Sequence, residues 1–233
     1  MSPYSKIRLS LQNNYVRFGV TAMLAALYSA LRSTEYSAFV KPLPIMFWCL
    51  VVIASPKRVE GRWVLASLCA AFVGDILLDL GEGWLIIATV PFLGSTLLLA
   101  LAFHLRSRGA SIHAVKDISL LLPILLGAIL FYHLTAPHME LAARRIGAVL
   151  LGLSVLLLWR SLAVAMFSDD PRLRRLAGVI GACGIVANYL LYSVNLGIRP
   201  VPRDLVIQVY YWGQAFAAWS FLKSAHAPAI RRA

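Results

Sequence analysis

The chain has 233 residues, 60% of them hydrophobic and only 14% charged, with a net charge of +12 and a mean hydropathy of +0.77. That composition excludes an ordinary soluble domain. It also makes the positive charge a matter of membrane topology before it is a sign of nucleic-acid binding.

About 20 apolar residues cross the hydrocarbon core of a bilayer. Eight such stretches are predicted, at 16–33, 38–55, 62–80, 84–105, 117–136, 146–166, 174–196 and 204–223. Connections are short, so the expected fold class is all-α, a polytopic bundle of eight transmembrane helices forming a single integral-membrane domain over residues 1–233. The first span is rich in Ala, Leu and Tyr. The start of the chain shows no cleavable signal peptide, and this first span is expected to act as an uncleaved insertion signal. In the second, Pro42 and Pro44 fall in the first turns, where a missing N–H costs little.

The third span holds the most informative feature of the chain. Asp75 and Asp79 are two carboxylates one helical turn apart in the run Trp63–Leu80. A carboxylate inside such a segment costs about 2.5–3.5 kcal/mol on insertion scales. The pair is therefore expected to face a protein interior or a wet cavity. At i, i+4 the two share a helix face. Two carboxylates that close cannot both ionise cheaply in a low dielectric, so one neutral acid and one carboxylate are expected, with Lys41 a candidate partner for the ionised one. The bland alternatives are a purely structural ion pair, solvation of Asp79 near the interface, and snorkelling of Lys41 to the outer headgroups.

The fourth span contains Pro91, predicted to kink it, followed by the small residues Gly94-Ser95-Thr96. The fifth and sixth are nearly featureless apart from His133 and Arg160. Ser168-Asp-Asp-Pro171 reads as part of a solvated connection. The seventh carries Asn188, Tyr189, Tyr192, Ser193 and Asn195 in one half. The eighth carries Gln208, Tyr210, Tyr211, Trp212 and Gln214. No internal repeat is visible, which weighs against inverted-repeat transporters.

With eight spans both termini lie on one side. That side carries sixteen of the 22 Lys and Arg; the opposite side carries Arg32, Lys41, Arg144, Arg145, Arg199 and Arg203. The positive-inside rule assigns the sixteen to the cytoplasm. They are spread over five segments, which fits topology better than a polybasic lipid-binding patch. On this topology Lys41, Asp75, Asp79, Asn188, Tyr210, Tyr211 and Gln214 fall in one outer polar layer, over an almost purely apolar cytoplasmic half.

Cys49, Cys69 and Cys183 lie in apolar spans and read as small buried hydrophobes, with neither disulfide nor metal implied. His104, His113, His138 and His226 read as solvated. No spacing resembles a metal site or a hydrolase, zincin or P-loop motif, so no metal, no cofactor and no nucleic-acid partner are expected.

The order Lys41-Pro42, Gly74-Asp75 with Asp79, and Tyr210-Tyr211-x-x-Gln214 resembles the YhhN family of eight-span membrane proteins, which includes the mammalian lysoplasmalogenases. The resemblance runs from about residue 38 to 222. It departs from the family pattern at Gly94-Ser95, where a Gly-His pair is usual, and at Ala187-Asn188, where Ser-Asp is usual. It implies hydrolysis of the vinyl ether of a lysophospholipid, with Asp75 and Asp79 catalytic and Lys41, Ser95, Asn188, Tyr210, Tyr211 and Gln214 binding substrate. From the length and compactness of the chain, location in a bacterial inner membrane, or the endoplasmic reticulum of a eukaryote, is expected. The alternatives are a non-catalytic lysolipid-binding member of the family and a small transporter with the Asp pair as proton relay.

Overall fold

The computed structural model describes residues 13–34, 36–55, 59–80, 84–108 and 114–222. His113 and His226, and the topological charges Lys6, Arg8, Lys57, Arg58, Lys223, Arg231 and Arg232, lie outside these residues. The described regular elements are helical: α1 Asn14–Leu31, α2 Ser37–Val40, α3 Leu43–Ala54, α4 Gly61–Asp79, α5 Leu85–Ser107, α6 Ala114–Thr135, a 3₁₀ turn Ala136–His138, α7 Leu141–Phe167, α8 Arg172–Gly197 and α9 Arg203–Ser220.

Helices stand at all eight predicted positions. Six stretches among the described residues are long and apolar enough to cross a membrane: Ser37–Ala54, Gly61–Asp79, Ile86–Ser107, Asp117–His138, Leu141–Phe167 and Arg172–Asn195. The first of these is α2 continued through Lys41-Pro42 into α3. The remaining two of the eight, α1 and α9, are 18-residue helices diluted by polar side chains. Several of those side chains point inward. Arg17 of α1, and Tyr210, Tyr211 and Gln214 of α9, are buried.

Small residues set the closest approach in the bundle. A Cβ on Gly184 would lie 2.8 Å from the Gly213 Cα, and one on Gly213 would lie 2.8 Å from the Ile185 amide nitrogen. Backbone therefore packs on backbone where α8 crosses α9, the usual role of glycine between membrane helices. The core around this crossing is apolar at mid-helix, with Leu68, Leu99, Ile185 and Ala215 all at most 2% exposed. Pro91 is accommodated inside a continuous α5.

The helix ends remote from Asp75 and Asp79 correct the expectation that the half of the bundle away from the carboxylates is almost purely apolar. Arg106 pairs with Asp170 at 2.6 Å and donates to the Ser220 carbonyl at 3.0 Å, while Arg174 donates to the Trp219 carbonyl at 3.3 Å. Two guanidinium groups thus satisfy terminal carbonyls of α9, favourable also for the helix dipole. Arg160 pairs with Asp117 at 3.1 Å, and Arg17 donates to Ser55 Oγ at 2.9 Å. Asp170 is consequently not solvated, because the 168–171 turn folds back onto α5. The cysteines need a correction too. Cys69 and Cys183 are exposed and Cys49 is half-buried, so two of the three face the surroundings of the bundle, where a thiol is apolar enough to meet lipid. His133 and His138 are exposed, whereas His104 is half-buried.

Candidate active site

Three elements build the site. The break at Lys41-Pro42 between α2 and α3 supplies one, the last turns of α4 the second, and the middle of α9 the third.

At the break, Tyr211 of α9 donates its hydroxyl to the Lys41 carbonyl at 2.6 Å. A proline two positions into α3 leaves backbone carbonyls there short of N–H partners, and the Tyr211 hydroxyl takes up one of them. This bond fixes the backbone of Lys41, whose ammonium reaches α4. Lys41 Nζ donates to Asp79 Oδ1 at 2.8 Å and to the Asp75 backbone carbonyl at 3.4 Å. Lys41 is 4% exposed, so it does not snorkel. The Asp79 side chain is 10% exposed and is held in an ion pair rather than simply solvated.

Asp75, one turn earlier, is 2% exposed. Its carboxyl lies beside the Tyr210 hydroxyl of α9. Among the described residues, Asp75 Oδ2, Asp79 Oδ2 and the Tyr210 hydroxyl are all buried with no hydrogen bond of good geometry. Buried polar atoms are nearly always satisfied in folded proteins, so three such oxygens together mark a place suited to another polar group. The two carboxylates differ in kind. Asp79 has a cation on one oxygen, while Lys41 touches only the backbone of Asp75.

Neighbouring packing sets these positions. Gly74 is where the ring of Phe92 comes to rest, and a Cβ there would lie 2.8 Å from Phe92 Cε2. Phe92 in turn stands edge-on to Tyr210, with ring centroids 6.1 Å apart, and Tyr211 stands edge-on to Tyr28 at 6.1 Å. The Gly74-Asp75 pair thus has a physical reason. The glycine admits an aromatic ring that backs the tyrosine beside the aspartate. Gln214, 2% exposed, follows Tyr210 and Tyr211 by one turn.

Ser95 and Asn188 are engaged elsewhere. Ser67 Oγ donates to the Ser95 carbonyl at 2.8 Å and meets its hydroxyl at 3.0 Å, which links α4 to α5. Asn188 donates to the Val206 carbonyl at 2.8 Å, linking α8 to α9. Gln208 reaches α1 at the Ala25 carbonyl and Ser29, and Asn195 accepts from the Val201 amide in the α8–α9 connection. Much of the polar layer therefore fastens helices around the Asp75–Asp79 centre.

Sequence reasoning missed one residue at this centre. Arg203, in the first turn of α9, lies 3.8 Å from Asp79 Oδ1 with its side chain 65% exposed. Only the ends of two spans meeting in space bring it there, and no spacing in the chain encodes that. No group of three or more His, Cys, Asp or Glu side chains able to hold a metal occurs among the described residues.

A model of the YhhN family matches residues 36–221. No curated protein and no solved structure matches the chain. The family match takes in the Lys41 break, the Asp75–Asp79 turn and the whole of α9, and on its extent the chain belongs to the YhhN family.

Proposed function

We propose that this protein hydrolyses the vinyl ether bond of a lysophospholipid, releasing a fatty aldehyde and a glycerophospho-head group. The observation that carries the reading is the asymmetry of the two buried carboxylates. Asp79 is ion-paired to Lys41 at 2.8 Å, whereas the Asp75 side chain has no such cation and faces the Tyr210 hydroxyl.

A vinyl ether, R–CH=CH–O–R′, is cleaved by protonation of the carbon distal to oxygen. The resulting oxocarbenium ion is captured by water, and the hemiacetal collapses to R–CH₂–CHO and HO–R′. In the proposed mechanism Asp75 is the neutral acid that delivers the proton, since a buried carboxyl left outside the Lys41–Asp79 ion pair is cheapest uncharged. Asp79, kept anionic by Lys41, stabilises the adjacent cation, as a second carboxylate does in glycoside hydrolysis. The conjugate base of Asp75 then accepts a proton from the attacking water, which regenerates the acid. Collapse of the hemiacetal moves a proton from its hydroxyl to the departing glycerol oxygen. Tyr210 and Gln214 orient water or the glycerol hydroxyl, and Tyr211 acts by holding Lys41. Ser95 and Asn188 act on the substrate only through the helices they pin.

The same reading takes all eight helices as spans of a single integral-membrane domain, with both termini cytoplasmic and the carboxylates in the outer half. It places the protein in a bacterial inner membrane, or in the endoplasmic reticulum of a eukaryote. At the other helix ends the Arg106–Asp170 and Arg160–Asp117 pairs hold their charges on each other, which favours a one-sided site over a transporter with access from both faces.

The test is aldehyde release from a lysoplasmalogen by the purified protein beside Asp75→Asn. Loss of a general acid lowers the rate by about 10²–10⁴-fold. A folded Asp75→Asn protein that still releases aldehyde at the parent rate overturns the assignment.

A further inference from the structure

The charges beside the carboxylate pair do not balance. Lys41 Nζ lies 2.8 Å from Asp79 Oδ1, and Arg32 lies 2.7 Å from Asp204 Oδ2. Each of those carboxylates therefore has a close cation already. Arg203 is a third cation at the same helix ends. Its approach to Asp79 Oδ1, at 3.8 Å, is too long for a hydrogen bond. With Asp75 as the neutral acid of the proposed mechanism, Arg32, Lys41 and Arg203 face two ionised carboxylates, and one positive charge is left over.

Neither the fold nor the helix accounts for a cation at this position. Arg106, Arg160 and Arg174 are buried and fasten helices, whereas the Arg203 side chain is 65% exposed. A loose, exposed ion pair adds little stability. Arg203 also stands in the first turn of α9, where the helix dipole disfavours a cation and favours an anion. What the guanidinium does offer is a planar fork of N–H donors, which matches two oxygens of a phosphate at once. Lys41 cannot take that part. It is 4% exposed and is already held by Asp79.

We propose that Arg203 binds the phosphate of a lysophospholipid whose ether bond is presented to Asp75, and so selects phospholipid over neutral glycerol ethers. The single negative charge of a phosphodiester balances the positive charge left over. The reach agrees as well. In a lysoplasmalogen, phosphorus lies about seven bonds from the carbon that takes the proton, roughly 8 Å when extended. Asp75 and Asp79 are separated by about 6 Å of helix rise, and Arg203 stands 3.8 Å from Asp79 Oδ1. The proposal rests on the hydrolase reading for the bond offered to Asp75; the phosphate contact itself requires no turnover.

Binding to the full-length purified protein provides the test, with two probes that differ in the phosphate. One is a 1-O-alkyl-glycerophosphocholine, a saturated ether with no vinyl carbon to protonate. The other is the 1-O-alkylglycerol of the same chain length. The parent protein should prefer the phospholipid. Arg203→Gln should weaken phospholipid binding by about tenfold, equivalent to roughly 1.4 kcal/mol, and leave the alkylglycerol unchanged. Arg199→Gln, at an exposed arginine of the α8–α9 connection, should change neither. Inorganic phosphate at millimolar concentration should not displace the phospholipid; displacement would assign the cation to a free anion and overturn the lipid proposal. A parent protein without preference, or an Arg203→Gln protein that keeps it, overturns the proposal. Equal weakening of both probes also overturns it, since Arg203 would then act through Asp79 or the fold. Binding that depends on phosphate and on Arg203, in a protein that releases no aldehyde, removes the hydrolase reading and upholds the contact. Aldehyde release from a lysoplasmalogen with a KM indifferent to Arg203→Gln removes the contact alone.

Discussion

Lys41 decides the difference between Asp75 and Asp79. Its ammonium can neutralise one carboxylate, and the turn of α4 offers it Asp79 Oδ1 at 2.8 Å while Asp75 presents only its backbone carbonyl. Removing one partner of a buried ion pair strands the other charge and costs about 3–5 kcal/mol. Lys41→Met should therefore lower stability by up to that amount in thermal unfolding of the detergent-solubilised protein, since only the exposed Arg203, 3.8 Å away, remains beside Asp79. The double variant Lys41→Met/Asp79→Leu should recover most of it, because no lone charge remains. An unchanged melting temperature in Lys41→Met would mean that the pair is not held as described. At this scale the sequence was informative but incomplete. Carboxylates in an apolar run announce themselves, as does a nearby lysine at the head of a span. Which carboxylate the lysine takes depends on helix rotation and depth, and these are properties of packed helices. Arg203 and the buried role of Asp170 escaped for the same reason: each meets its partner through chain-distant contacts.

Among the elements, α9 contributes most to the site, and its setting depends on glycine. Its crossing with α8 leaves no room for a side chain at Gly184 or Gly213. Gly184→Val should separate the helices and shift Tyr210, Tyr211 and Gln214 together. The expected cost is about 1–3 kcal/mol of overpacking, with loss of aldehyde release exceeding what the lost stability explains. A milder perturbation is Gly74→Ala. Its methyl group would press on the Phe92 ring, which backs Tyr210, so turnover should fall while the fold persists. Wild-type turnover in a folded Gly74→Ala protein would show that the Phe92–Tyr210 contact does not set the site. Helix positions themselves were legible from hydropathy, and helices stand at all eight predicted stretches. The two polar-diluted helices, α1 and α9, illustrate the limit of that signal. Apolarity marks segments that meet lipid, whereas a helix at the heart of a functional membrane bundle carries its polar groups inward.

On the scale of the whole molecule, two polar layers separate functions. One surrounds Asp75 and Asp79; the other, at the opposite helix ends, is a set of satisfied arginine contacts that lock α5, α8 and α9 together. The positive-inside count reads mostly as topology, yet Arg17, Arg106, Arg160 and Arg174 are also buried structural groups. Residue type gave their number but not their contacts. If all eight helices span, a fluorescent reporter fused after residue 233 should be bright in the cytoplasm. A cysteine placed at Arg199, in the exposed α8–α9 connection, should react with an impermeant thiol reagent added outside. Labelling of that cysteine only after permeabilisation would reverse the orientation.

The central claim is that Asp75 delivers a proton to carbon. Hydrolysis of a lysoplasmalogen in D₂O, with the aldehyde trapped by reduction as it forms, reads that step directly. The account predicts aldehyde carrying one deuterium on the carbon next to the carbonyl, and release by folded Asp75→Asn slowed by about 10²–10⁴-fold. Aldehyde released without deuterium at that carbon, or no aldehyde from the folded parent protein, would contradict it.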